Sequence, residues 1–195
     1  MCKVDHQAAA AAAIAELTTA HPYLAGDPTP HPALAGCEEV AWSTLPGCTE
    51  GVPAVLYGLV DPEAAEVAGR ALRWLVLAGP MRITAAMPAV VPFLLRLAAD
   101  PAVPHRGKLF DVVLVAAALS EAVDPGNSWD LAISGPEEEH PERALCRAAF
   151  EANAAWVRQL LVEDQLPAGE PLHQDERASL LRAAGLRGSS SGRRW

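Results

Sequence analysis

The sequence predicts an all-α fold, and three observations support this prediction. Apolar residues make up 51% of the 195-residue chain but aromatic residues only 5%, so small aliphatic side chains dominate. Alanine is abundant among them, and it has the highest intrinsic helix propensity because it loses no side-chain entropy. No run of alternating β-branched and polar residues is bounded by the Asn-Gly or Asp-Gly turns of β-hairpins. The centre of the chain contains an internal repeat with an offset of 39 residues.

Length and charge limit the function classes. A chain of 195 residues is long enough for one well-buried domain and short for two. Its 15 Lys and Arg residues are scattered singly among 24 Asp and Glu residues, which gives a formal net charge of −9. Because such a charge repels phosphate backbones, no nucleic-acid partner is expected. The cysteines lack C-x-x-C spacing, so we expect reduced thiols and neither a metal site nor a cofactor.

The expected organisation has four parts. Residues 1–20 form an N-terminal capping helix, which ends where Pro22 disfavours helical geometry in the preceding residue. Residues 21–36 form a Pro-rich loop, and residues 37–166 form one helical domain. Residues 167–195 form a weakly ordered tail, with a weak helix near Asp175–Ala184 and disorder from Gly188 onwards.

Composition also bears on location and origin. Proline and arginine interrupt the apolar stretch 71–99, so no membrane span is expected and the protein is expected to be cytoplasmic. The richness in Ala, Arg and Pro is typical of a GC-rich bacterial genome.

The internal repeat is the most informative pattern. Residues 51–62 read GVPAVLYGLVDP and residues 90–101 read VVPFLLRLAADP, which gives the shared motif V-P-x-x-L-x-x-x-x-D-P. The identical pairs are Val52 and Val91, Pro53 and Pro92, Leu56 and Leu95, Asp61 and Asp100, and Pro62 and Pro101.

The motif has a direct structural interpretation. Proline is tolerated in the first turn of a helix, so each Val-Pro pair is expected to open a short apolar helix. Each Asp-Pro pair then ends that helix and starts the next, with the aspartate as N-cap. Each unit is therefore a short helix, a tight corner and a second helix.

The remaining helices are placed by their apolar pattern. The second helix of the first unit, from Pro62 to Ala78, is amphipathic. That of the second unit, from about Pro104 to Val123, is continuously apolar after Val112, so we expect it at the centre of the fold. A final helix over 141–166 follows the loop 124–141. Its residues at helical spacing are expected to pack on the central helices: Leu145, Ala149, Ala152, Trp156 and Leu160.

Two helices per unit, an Asp-Pro corner and a period of 39 residues resemble HEAT-type repeats. The stretch MPAVVPFLLRLAADPAVPHR is also similar to HEAT-like proteins common in actinobacteria. The resemblance covers Val52–Leu119 and implies a short right-handed α-solenoid of stacked antiparallel helical hairpins. The wider family uses the concave surface of such a solenoid mostly to bind other macromolecules. Because two repeats alone cannot bury their apolar faces, the flanking helices are expected to act as caps.

The clearest cluster of polar candidates opens the second helix of the second unit. These residues are His105, Arg106, Lys108 and Asp111. They predict an anion- or carboxylate-binding edge, with Asp111 and His105 as acid and base if the protein is an enzyme; the alternative is a solvated first turn. Arg82 and Arg96 would extend the edge if their helices face it, and otherwise snorkel or pair with a carboxylate.

The loop 124–141 holds the other candidates. The acidic run Glu137–Glu139 beside His140 either binds a metal or a basic partner, or caps the following helix, where carboxylates interact favourably with the helix dipole. Trp129, in the loop beside Asp130, is the candidate for an exposed anchor that contacts a partner.

No catalytic or cofactor motif is present: no G-x-G-x-x-G, Walker loop, G-x-S-x-G or H-E-x-x-H. We therefore expect a helical scaffold that binds a protein or peptide through its concave face or the loop 124–141. One alternative is a small biosynthetic enzyme or ligand-binding protein, with Arg82, Arg96, His105 and Asp111 in a pocket between helices. Another is an inhibitor or immunity-type partner of a basic protein.

Overall fold

The computed structural model of the protein describes residues 5–79, 81–162 and 172–186, and every regular element in these ranges is helical. The α-helices are α1 (His6–Ala20), α2 (Tyr23–Gly26), α3 (Val52–Val60), α4 (Ala65–Val76), α5 (Met87–Ala99), α6 (Arg106–Leu119), α7 (Ser128–Ser134), α8 (Pro141–Ala152), α9 (Ala154–Leu160) and α10 (Gln174–Ala183). Short 3-10 helices lie at Pro32–Leu34, Cys37–Glu39, Trp42–Thr44 and Glu137–Glu139. The all-α prediction is confirmed, and none of these helices is long and apolar enough to cross a bilayer.

The repeated apolar positions lie in the core. Val52 and Val91 are both fully buried, and so are Leu56 and Leu95. All four belong to one apolar cluster, in which α3 packs on α4, α5 packs on α6, and α4 also touches α5. Burial of the same two positions in each unit therefore explains the Val and Leu identities of the motif.

The two Val-Pro pairs lie at different positions within their helices. Pro53 lies in the first turn of α3, as the motif predicts. In the second unit, however, α5 begins at Met87 and Pro92 lies inside the helix, so the prediction that Val91 and Pro92 open it is wrong. Pro88 provides an earlier helix start, and the added turn buries Met87 and Val90. This burial offsets the roughly 3 kcal/mol that an interior proline costs.

In both Asp-Pro corners, the aspartate side chain accepts backbone hydrogen bonds within a turn. Asp61 Oδ1 accepts hydrogen bonds from the backbone N–H groups of Glu63 at 2.8 Å and Ala64 at 3.1 Å. Asp100 Oδ1 accepts one from Ala102 at 2.9 Å. The following helices begin only at Ala65 and Arg106, so the prediction that the aspartates are helix N-caps is wrong. They satisfy donors of the turn that precedes each helix.

The Pro-rich segment 21–36 crosses both corners. Tyr23 Oη donates a hydrogen bond to Asp61 Oδ2 at 2.7 Å, and this bond is the largest cause of the rise of the Tyr23 pKa to about 12. Further along the segment, His31 Nε2 lies 3.8 Å from Asp100 Oδ2. The segment therefore links equivalent positions of the two units.

Helix α5, not α6, lies at the centre of the described fold. It contacts α4, α6, α8, α9 and the turn Pro32–Leu34, and most of its residues are buried. In α6, Val115 is 37% exposed and Ala118 is also exposed, so the expected central position of this helix is wrong. Its outer residues are small enough to leave one side of the helix open to solvent.

The first and last described helices pack on the second helices of the two units. Helix α1 packs along α4, and α10 packs on α6 through Leu180, which is fully buried. The predicted weak helix near Asp175–Ala184 thus forms part of the core. The disorder expected from Gly188 to Trp195 concerns residues outside the described ranges.

The predicted helix over 141–166 is two helices. A turn at Asn153 separates α8 from α9, and residues 163–171 lie outside the described ranges. Among the predicted packing residues, Leu145 is wrong because it is 56% exposed, and Ala152 is also exposed. Ala149, Trp156 and Leu160 do pack on the core. The inward residues of α8 and α9 are Arg143, Cys146, Phe150, Val157 and Leu160.

Candidate functional site

The predicted cluster at the start of α6 is divided by the structure. His105 is the N-cap residue, and with Lys108 it lines a cleft of about 120 Å³ between α4 and α6. Asp111 is exposed and is not part of the lining of this cleft. Arg106 occupies the first position of α6. The cleft therefore holds His105 without Asp111, so it does not contain the predicted acid–base pair.

Arg96 lies elsewhere and ties two segments together. Its Nη1 donates a hydrogen bond to the carbonyl of Ala35 at 2.8 Å, and its guanidinium carbon lies 4.6 Å from the centre of the Phe93 ring. Burial lowers the pKa of Arg96. Arg82 is exposed in the segment between α4 and α5, where its carbonyl accepts a hydrogen bond from Ala78. Neither arginine lines the cleft that holds His105.

Trp129 lies on α7, within the residues 120–140 that connect α6 to α8; we call this connection the acidic loop. Trp129 is 72% exposed, and Ile133, one turn further along, is 48% exposed. Helix α7 buries none of its residues. It therefore presents two large apolar side chains to solvent at helical spacing.

Helix α7 is capped from within the acidic loop. Asn127 Oδ1 accepts hydrogen bonds from the backbone N–H groups of Trp129 at 3.1 Å and Asp130 at 3.4 Å. Asn127 Nδ2 donates to Asp130 Oδ2 at 2.9 Å. Because an N-cap satisfies donors at a helix start, these bonds stabilise α7 without burying its apolar face.

Two arginines of α8 hold the ends of the acidic loop. Arg143, which is only 5% exposed, donates a hydrogen bond to the carbonyl of Ser134 at the end of α7. Arg147 donates to the carbonyl of Ser120 and forms an ion pair with Glu137. We call these contacts the neck of the acidic loop.

The charge of Glu137 depends on this neck. Burial alone would raise the pKa of its carboxyl group, but the hydrogen bond from Arg147, the backbone N–H of Val123 and the nearby arginines outweigh burial and lower it. Glu137 is therefore a structural carboxylate.

The acidic loop is strongly negative. It has no Lys or Arg, and its six carboxylates are Glu121, Asp124, Asp130, Glu137, Glu138 and Glu139. Glu121 and Glu137 pair with Arg182 and Arg147, respectively, so the other four supply most of the negative charge around α7. Within the described ranges, no group of three or more His, Cys, Asp or Glu residues is arranged to hold a metal ion.

Sequence reasoning found Trp129 but missed Ile133 and the two arginines of the neck. The spacing of Asn127, Trp129, Asp130 and Ile133 is a helix signal that could have located α7 inside the loop. The contacts of Arg143 and Arg147 span 9 to 27 residues along the chain, and no local pattern encodes them.

Comparison with known proteins gives no relatives. No protein-family model, no curated protein and no solved structure matches the chain. The resemblance to HEAT-type repeats therefore depends on the repeat motif alone.

Proposed function

We propose that the protein is a HEAT-like helical scaffold that binds a basic protein or peptide partner through α7 of the acidic loop. The observation that carries this proposal is the exposure of Trp129 and Ile133 on a helix that buries none of its own residues.

The apolar pair supports a binding role because it contributes little to the core. Large exposed apolar side chains are unfavourable in water, and burying an aromatic side chain in an interface is a common source of binding energy. The neck holds both ends of the loop through polar contacts, so α7 is presented in a defined position before a partner arrives. A preformed surface loses less conformational entropy on binding.

The surrounding charge favours a basic partner. The acidic loop offers carboxylates on both sides of α7 and no Lys or Arg. Complementary charge accelerates association and disfavours acidic competitors. A basic protein is also the target that the inhibitor hypothesis requires. The partner that fits best carries Lys or Arg around an apolar hollow or side chain that receives Trp129.

The repeat architecture supports the scaffold part of the proposal. Each unit has two packed helices, the same two buried motif positions and an aspartate in its corner. The HEAT-type proteins that the sequence resembles mostly bind other macromolecules through a concave surface, and Trp129 separately indicated the loop 124–141 as a second binding surface. The exposed apolar pair favours the acidic loop over a concave face.

Selection of random peptides on the immobilised protein tests the proposal. Peptides that combine Lys or Arg with an aromatic or aliphatic residue should be enriched, and synthetic copies should bind more weakly as salt rises. Trp129→Ala should weaken this binding by about tenfold or more, the effect expected of an anchor residue.

The matched control is Trp74→Ala, which removes a tryptophan that is 40% exposed on α4, away from the acidic loop. It should leave peptide binding unchanged. Enrichment of acidic or charge-free peptides, or binding that Trp129→Ala and Trp74→Ala weaken equally, would contradict the proposal.

A further inference from the structure

A second surface of the molecule is basic although the chain is acidic. The cleft between α4 and the start of α6 is lined by Arg70 and Arg73 from α4 and by His105 and Lys108 from α6. Glu66 is the acidic residue in this lining. In a chain of net charge −9, three permanent cations and a histidine around one cleft form a local reversal of charge.

The cations of the cleft are largely available to a ligand. Arg70 pairs with Glu16 at 2.9 Å, but both side chains are at least half exposed, and such pairs contribute little to stability. Within the described ranges, Arg73 and Lys108 form no ion pair or hydrogen bond through their side chains. The structure thus offers at least two unpaired cations to an incoming anion.

An apolar hollow adjoins the cleft. It is lined by His6, Trp74, Leu77 and Gly79, and it shares Arg70 and Arg73 with the cleft. The rings of His6 and Trp74 are in contact, with centroids 5.8 Å apart, and the indole is 40% exposed. Nδ1 of His6 is buried and has no hydrogen-bond partner within the described ranges. The hollow therefore offers a flat apolar wall beside two guanidinium groups.

The backbone of His105 supports a specific role for the cleft. With φ of 51°, it is the one described non-glycine residue in the left-handed region. For a residue with a Cβ, this conformation is uncommon and costs roughly 1 kcal/mol or more. The conformation places His105 in the lining, opposite α4. Strain of this kind concentrates at ligand sites.

We propose that the cleft and the hollow together bind a small phosphate ester that carries a flat apolar ring. The phosphate lies among Arg70, Arg73, His105 and Lys108, and the ring packs on Trp74. The proposal is independent of the α7 surface, which lies on another loop.

Size and charge favour this ligand class. The cleft is small, at about 120 Å³, so it suits the phosphate group, while the ring of the ester lies in the adjoining hollow. A phosphate ester carries about −1.5 to −2 charges at neutral pH and three acceptor oxygens. Guanidinium groups bind such oxygens in bidentate geometry, and two guanidiniums are present. A carboxylate would use fewer of these donors.

Isothermal titration calorimetry with four probes tests the proposal at low salt: phenyl phosphate, inorganic phosphate, benzoate and phenol. Phenyl phosphate should bind with saturation and about tenfold more tightly than inorganic phosphate or benzoate, and phenol should not bind measurably. Arg73→Gln should weaken phenyl phosphate by about tenfold or more. Trp74→Ala should reduce its affinity to that of inorganic phosphate.

Two controls keep the test specific. Arg158→Gln removes an exposed arginine of α9 that lines neither hollow nor cleft, and Trp129→Ala removes the exposed tryptophan of the other proposed site. Both should bind phenyl phosphate as the original chain does, and circular dichroism should show that all variants are folded. Absence of saturable phenyl phosphate binding, or an equal loss with Arg73→Gln and Arg158→Gln, would overturn the proposal.

Discussion

Helices α5 and α7 use apolar side chains in opposite ways. In α5, Leu94 and Leu95 are fully buried among residues from four other helices. In α7, Trp129 and Ile133 face solvent, and the helix is held by polar contacts at its two ends. The comparison teaches that apolar content alone does not separate residues that stabilise the fold from residues available to a partner.

The two helices also differ in the step at which their apolar side chains are buried, which is folding for α5 and partner binding for α7. Burying a large apolar side chain contributes roughly 1.5–3 kcal/mol, and the residues of α5 make this contribution when the chain folds. Trp129 and Ile133 are exposed in the folded protein, so most of the favourable free energy of burying them is gained only when another surface covers them. The predictions below test this difference from the largest expected effect to the smallest.

The largest effect should come from truncating the centre of the core. Leu95→Ala removes a fully buried side chain of α5 and should lower the free energy of unfolding by about 3 kcal/mol. Leu56→Ala, at the equivalent position of the first unit, should have a similar effect. Urea denaturation followed by circular dichroism measures both. A loss below about 1 kcal/mol for Leu95→Ala would contradict the central position of α5.

A smaller effect is expected at the neck. Arg143→Met removes the hydrogen bond to Ser134 but keeps an apolar stem, and it should lower the free energy of unfolding by about 1–3 kcal/mol. Hydrogen exchange should increase in residues 128–134 and stay unchanged in α5. Arg158→Met, at an exposed position, is the matched control. Equal exchange changes in α5 and α7 would show that the neck does not hold α7 separately.

Acid should weaken the neck through Glu137. Its pKa is lowered below the ordinary value of 4.5, so the charged form stabilises the folded state at higher pH. This stabilisation is lost as pH falls through the lowered pKa. Glu137→Gln should cost less than about 1 kcal/mol at neutral pH and nothing in strong acid. Urea denaturation of both proteins from neutral to strongly acidic pH measures this stability difference. A difference that grows towards acid would contradict the lowered pKa of Glu137.

Much of the fold follows from local patterns in the sequence. Asp5 caps α1 and Pro22 follows its end, so both ends of this helix are recognisable. The buried pair in each motif, such as Leu56 and Leu95, also follows from spacing. Helix phase is harder to predict: the inward residues Cys146, Phe150, Val157 and Leu160 keep helical spacing through the turn at Asn153, and the predicted face lay one residue before this one at Leu145.

The site was less accessible to sequence reasoning. Trp129 could be identified because a tryptophan in a polar loop is unusual. By contrast, Arg82 and Arg96 were expected to extend the edge formed by His105, yet the three residues lie in different places because tertiary packing decides which helix faces meet. Arg70 and Arg73 belong to the polar face of the amphipathic helix predicted from Pro62 to Ala78, and no sequence pattern indicates that the start of α6 lies beside them and completes the cleft.

The most direct test of the account is the free energy of unfolding of the double variant Trp129→Ala with Ile133→Ser. Because both side chains face solvent, we expect the value to stay within about 0.5 kcal/mol of that of the original chain, while binding of the selected basic peptides is lost. A loss of stability above about 2 kcal/mol would show that the two side chains pack within the protein, and the proposed docking surface would not exist.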